Sequence, residues 1–135
     1  MKGELKVDFK FPKILKELET QINSSYKLPI FKGYIAINKR GIEKLIDEIY
    51  ETLPIDLMEA RNYLKSRNYN IQNITNENQK KETYGHLKKL ETNLLYSPLQ
   101  LANFVIINIK QAEKLIDKVN NSIPQEIIEA KKLSK

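Results

Sequence analysis

Three observations make this 135-residue chain a helix-rich α+β protein of two tandem helix–strand–helix repeats. The first is internal similarity. Shifted by seventy positions, residues 34–65 fall on residues 104–135, and 11 of the 32 paired positions are identical. The second is that apolar residues recur at helical spacing in each copy. The third is a short β-branched and aromatic run in the middle of each copy.

The repeat is dense where it is clearest. Glu43-Lys44-Leu45-Ile46-Asp47 recurs as Glu113-Lys114-Leu115-Ile116-Asp117, Ile37-Asn38 as Ile107-Asn108, and Pro54 as Pro124. Upstream, Leu15-Lys16-Glu17-Leu18-Glu19-Thr20 matches Leu87-Lys88-Lys89-Leu90-Glu91-Thr92 after a two-residue gap. The first repeat therefore occupies residues 1–67 and the second 82–135, within one compact domain. Residues 68–81, rich in Asn, form the linker between them.

Each copy opens with an amphipathic helix, marked by Ile14, Leu15, Leu18 and Ile22 in the first and Leu87, Leu90, Leu94 and Leu95 in the second. Pro29 and Pro98 then disfavour helix at the residue before them, so the chain extends. Tyr34-Ile35-Ala36-Ile37 and Phe104-Val105-Ile106-Ile107 read as strands. Asn38 and Asn108 follow as N-caps, because their side chains can accept from the first free N–H groups of a helix. The next helix carries the stripe Ile42, Leu45, Ile46, Ile49, Leu53, repeated as Ala112, Leu115, Ile116, Val119, Ile123. Pro54 and Pro124 are expected to kink or restart that helix in both copies.

A lone short strand leaves its backbone groups unpaired, so the two strands are expected to pair as a two-stranded ribbon with pseudo-two-fold symmetry. The segment 104–109 is apolar at five of six positions. Such a strand is expected to be buried on both faces or paired across a homodimer.

The composition sets limits. The absence of Cys excludes disulfides, thiolate metal sites and a cysteine nucleophile. No apolar run approaches the roughly 18–20 residues of a membrane span, and the first residues lack a secretory apolar core, so a cytoplasmic location is expected. The net charge of +6 is divided evenly between the halves, which reads as a mixed solvated surface with a basic excess.

The chemical inventory is thin. His86 is the single histidine and reads as a helix-surface residue. Glu43/Asp47 and Glu113/Asp117 are i, i+4 carboxylate pairs, and a metal-dependent enzyme would need all four to converge at the pseudo-two-fold axis. Lys44 and Lys114 beside them favour solvated charged faces. The seven tyrosines read as core and rim positions, not as a base-stacking platform.

One resemblance covers much of the chain. Glu17-Leu18-Glu19, Asn23-Ser24-Ser25-Tyr26-Lys27-Leu28-Pro29, Tyr34-Ile35-Ala36-Ile37-Asn38, Leu45-Ile46-Asp47-Glu48-Ile49 and Leu53-Pro54-Ile55-Asp56-Leu57-Met58-Glu59-Ala60-Arg61 are similar, in order and spacing, to the bacterial DivIVA-like (ATP synthase subunit b-like) small proteins. The second copy matches more loosely. The resemblance implies a link to bacterial cell division, septation or envelope growth, and no catalytic residues.

Together these readings give a non-catalytic cytoplasmic interaction or scaffold protein, without cofactor or metal, that forms a homo-oligomer (a dimer) and binds a protein partner. The contact candidates are Leu57, Met58, Phe104, Ile106, Ile127 and Ile128. The alternative is a nucleic-acid-binding module using the basic excess.

Overall fold

A computed structural model describes residues 7–73 and 77–134. Its architecture is α+β and helix-rich, with five α-helices and one four-stranded sheet. The order is α1 (Phe11–Asn23), β1 (Tyr26–Lys27), β2 (Tyr34–Asn38) and α2 (Lys39–Ser66), then α3 (Glu77–Leu95), β3 (Gln100–Leu101), β4 (Phe104–Asn108), α4 (Ile109–Asn121) and α5 (Gln125–Leu133).

The strands pair antiparallel in the order β1-β2-β4-β3. In the central pair Ala36 lies opposite Ile106, with Ile35 opposite Ile107 and Ile37 opposite Val105. The ladder is extended at both ends by reciprocal bonds: Lys39 N–H donates to the Asn103 carbonyl at 2.9 Å, and Ile109 N–H to the Gly33 carbonyl at 2.8 Å. The ribbon expected from sequence is thus widened to four strands by two-residue edges. The expectation for residues 104–109 is also corrected. β4 is an interior strand, paired with β2 along its length and with β3 at Phe104 and Val105, and only one of its faces is buried.

That burial follows from strand alternation. Ile35, Ile37, Val105 and Ile107 point to the helices and are at most 3% exposed. They join the helix stripes in one core: Phe11, Leu15, Leu18 and Ile22 of α1, Ile42, Ile49, Leu53 and Leu64 of α2, Leu90 and Leu94 of α3, and Ile116 and Val119 of α4. All helices lie on this side. Asn38 and Asn108 do cap α2 and α4, their side-chain oxygens accepting from Gly41 N–H at 3.1 Å and Gln111 N–H at 3.0 Å.

The two prolines behave differently. α2 runs unbroken through Pro54, against expectation, whereas α4 ends at Asn121 and α5 starts beyond Pro124. Pro54 is exposed, so the helix bond it deletes is lost on the solvent side, where water can serve the freed carbonyl. In the second half the break is clamped by α3. Gln79 Nε2 donates to the Ile123 carbonyl at 3.3 Å, Gln79 Oε1 accepts from Gln125 N–H at 3.0 Å, and the Thr83 hydroxyl donates to the Ser122 carbonyl. At the corresponding positions of the first half stand Val7 and Phe11, which cannot make these bonds. Within the expected linker, residues 77–81 already belong to α3. No helix among the described residues is long and apolar enough to cross a membrane.

Candidate functional site

The face of the sheet turned away from the helices is uncovered, and it is unusually apolar for a surface. Tyr34, Ala36, Phe104 and Ile106 project from the central strands. Register places two more residues beside them, since Tyr26 is opposite Ala36 and Leu101 is opposite Phe104. Tyr26 is 65% exposed, Leu101 67% and Phe104 46%. Ile30 and Phe31 in the β1–β2 loop, and Tyr96 and Leu99 before β3, are exposed at the margins. Contiguous apolar exposure of this kind marks a binding surface more often than a chance of packing.

The aromatic residues therefore divide in a way their spacing concealed. Tyr63 is buried, and Tyr50 and Tyr84 stack with ring centroids 6.3 Å apart on the helical side. Tyr26, Tyr34 and Tyr96 instead gather with Phe31 and Phe104 around the open face. Five of the eleven Tyr and Phe side chains stand there, none of them buried.

A cleft of about 270 Å³ leads off this face between Tyr34, Ile106 and Asn108 of the sheet and Asn93, Tyr96 and Leu99 at the end of α3. The Asn93 Oδ1 atom is buried and has no hydrogen-bond partner among the described residues. Such an acceptor costs free energy unless something donates to it.

Charge is concentrated in the same layer. Residues 24–42 and 96–112, which make up the strands, their loops and the starts of α2 and α4, contain Lys27, Lys32, Lys39, Arg40 and Lys110 and no carboxylate. The rest of the chain holds 18 basic and 17 acidic residues, so nearly all of the +6 arises here. None of these five cations has an ion-pair partner among the described residues. The nearest acid along α2, Glu43, lines a shallow cleft with Lys39, Arg40 and Asn103. α2 and α4 begin where β2 and β4 end, at opposite ends of the central pair, and each brings the positive end of its dipole to the margin.

The residues singled out from sequence fare unequally. Phe104 and Ile106 lie on the open face. Met58 is 64% exposed on α2, and Ile128 is partly buried on α5. Leu57 and Ile127, at 3% and 1% exposure, pack into the core beneath α2 and α5. Glu43, Asp47, Glu113 and Asp117 are all exposed, and no group of three or more His, Asp or Glu among the described residues could hold a metal ion. His86 sits inside α3, partly buried, with Nε2 3.6 Å from Glu82 and Nδ1 buried without a hydrogen-bond partner among the described residues.

Comparison of the chain with protein-family models, with curated proteins and with solved structures gave no match.

Proposed function

We propose that this chain is a non-catalytic interaction module, built by tandem duplication, whose working surface is the open face of the sheet. The observation that carries this reading is the asymmetry of the sheet, with Ile35, Ile37, Val105 and Ile107 sealed by helices and Tyr26, Tyr34, Leu101, Phe104 and Ile106 left facing solvent. A sheet face that is not needed for folding and is still apolar has a cost in solubility, which a binding role explains.

The duplication has its own support. Ala36 and Ile106, seventy positions apart, are partners at the centre of the ladder. The bonds Lys39 to Asn103 and Ile109 to Gly33 exchange under the same shift of seventy. That pattern is what a two-fold axis through the middle of the β2–β4 pair produces, with each half supplying the strand the other lacks.

The reading is tested by removing the face while keeping the fold. The double variant Leu101→Ser/Phe104→Ser should melt within a few degrees of the wild type and lose most binding of a hydrophobic fluorescent dye. If those substitutions instead cost as much stability as a core truncation, roughly 2–5 kcal/mol, the face belongs to the protein's own packing and the reading fails.

A further inference from the structure

The open face combines two features that one class of partner satisfies together. Its centre is aromatic and its margin is cationic. Resting on the interaction-module reading above, we propose that this face binds single-stranded nucleic acid, with bases stacking on Tyr34, Tyr96 and Phe104 and phosphates meeting Lys39 and Arg40.

The charge pattern decides between occupants. A second copy of this chain docked face to face would bring the margins carrying Lys39, Arg40 and Lys110 together, where Glu43 is the acid that shares a cleft with Lys39 and Arg40. Like charges brought together in a desolvated interface oppose association. A polyanion reverses the sign of that term. Counterions released from phosphates then favour binding.

The apolar groups narrow the class further. Every base presents a π-face, so exposed aromatic rings on a sheet bind single strands with little sequence preference. Duplex bases are stacked on one another and cannot reach such rings. Tyr26, Tyr34, Tyr96 and Phe104 are distributed over the strands and their margin, on the same side of the sheet as far as register defines it. The cleft between Tyr34 and Tyr96 has room for one base at about 270 Å³. The positive ends of α2 and α4 lie at the two ends of the central strand pair, where a chain of phosphates crossing the face would pass.

The test is fluorescence anisotropy of the full chain with a labelled oligothymidylate and a labelled mixed-sequence strand, each of about sixteen nucleotides. A duplex of equal length and inorganic polyphosphate serve as comparisons. The expected result is tighter binding of single strands than of duplex or polyphosphate. The logarithm of affinity should fall with the logarithm of salt at a slope of about −1.5 to −3, as two to four phosphate contacts require. Tyr96→Ala and Phe104→Ala should each weaken single-strand binding about tenfold, and Lys39→Ala/Arg40→Ala should flatten the salt slope. Ile55→Ala, about 24 Å further along α2 by helical rise, should change nothing.

Three results overturn the inference. One is no single-strand binding at low salt. Another is equal binding of duplex and polyphosphate, indifferent to Tyr96→Ala and Phe104→Ala. The third is a Phe104-dependent dimer in light scattering that excludes the oligonucleotide. If the dye experiment succeeds while any of these occurs, the open face remains an interaction surface and only the assignment to nucleic acid falls.

Discussion

Arg61 of α2 donates to a single carboxylate oxygen of Glu126 on α5, from Nε at 3.1 Å and from Nη2 at 2.9 Å. The bond ties the long helix of the first half to the last helix of the second. Glu126 is 1% exposed, and its other oxygen is buried without a partner among the described residues. Arg61 is also 3.7 Å from Glu77 at the start of α3.

A buried carboxylate that depends on one guanidinium makes a sharp prediction. Arg61→Ala strands the charge of Glu126 and should destabilise the protein by about 1.5–3 kcal/mol in urea denaturation. The double variant Arg61→Met/Glu126→Leu removes both charges and should recover most of that loss, since an apolar pair carries no desolvation penalty. A double variant as unstable as Arg61→Ala alone would show that packing of the Arg61 stem, and not its charge, holds α2 to α5.

Asp56, five residues before Arg61 on α2, holds the start of α1. α1 begins at Phe11 with no side-chain cap of its own. Asp56 of α2 replaces it, accepting from Lys10 N–H at 3.2 Å and Phe11 N–H at 2.7 Å. Burial raises the Asp56 carboxyl above its ordinary value, although the two backbone N–H groups pull it down. Asp56→Ala should cost about 1–2 kcal/mol, the usual loss of an N-cap. The pH dependence has a specific sign. Because the folded state holds the Asp56 proton more tightly than the unfolded state, its contribution is fully present below the ordinary carboxylate range and declines as pH rises through the raised value. Asp56→Asn abolishes that titration, so wild type minus variant stability should fall with rising pH across the acid range. A difference that rises instead would mean the N–H bonds outweigh burial.

How much of this could be read from the sequence depends on whether a feature is local. The faces of α1 and α3, the strands β2 and β4, and the caps Asn38 and Asn108 follow from spacing and residue type within a few positions. β1 and β3 have two residues each, too few for any periodic signal. Whether the helix breaks at its proline depends on the helix packed opposite: Gln79 and Thr83 of α3 clamp the break at Pro124, while Val7 and Phe11 stand at the corresponding positions of the first half. Alternation in β2 and β4 identifies two faces but not which one lacks a cover. Tyr26 and Leu101 join the open face only through cross-strand register, and the acid-free layer appears only when residues 24–42 and 96–112 are brought together.

The β3–β4 turn contains a residue that fits its backbone poorly. Ala102 has φ of +52°, in the left-handed region where a Cβ meets the backbone and glycine is favoured. The β1–β2 loop has glycine at its own left-handed position, Gly33 with φ of +84°. Ala102→Gly should therefore raise stability by about 0.5–1 kcal/mol, and Gly33→Ala should lower it by a similar amount or more. Paired thermal melts of the two variants check both signs at once. An Ala102→Gly protein that melts earlier would indicate that unfolded-state entropy outweighs the relief of strain at this turn.

Tyr50 connects the aromatic stack on the helical side to its pH behaviour. Its hydroxyl donates to Glu91 Oε1 at 3.3 Å, and its ring lies nearly parallel to that of Tyr84, at 9°. Burial first, then the negative charge of Glu91 and the bond to it, push the Tyr50 hydroxyl up to about 12. Burial also raises Tyr84. An unfolded tyrosine ionises near 10, so between about 10 and about 12 the unfolded state has lost a proton that folded Tyr50 retains. Its contribution to stability is complete below that window and is lost as pH rises through it. Tyr50→Phe keeps the stacked ring and deletes the titration, so its denaturation midpoint should fall less steeply than the wild type's as the solution is made alkaline. Glu91→Gln removes the charge but not the burial, and should bring Tyr50 ionisation, followed by tyrosinate absorbance, part of the way back toward 10. An unchanged absorbance titration in Glu91→Gln would assign the whole shift to burial and leave the Tyr50–Glu91 bond without electrostatic consequence.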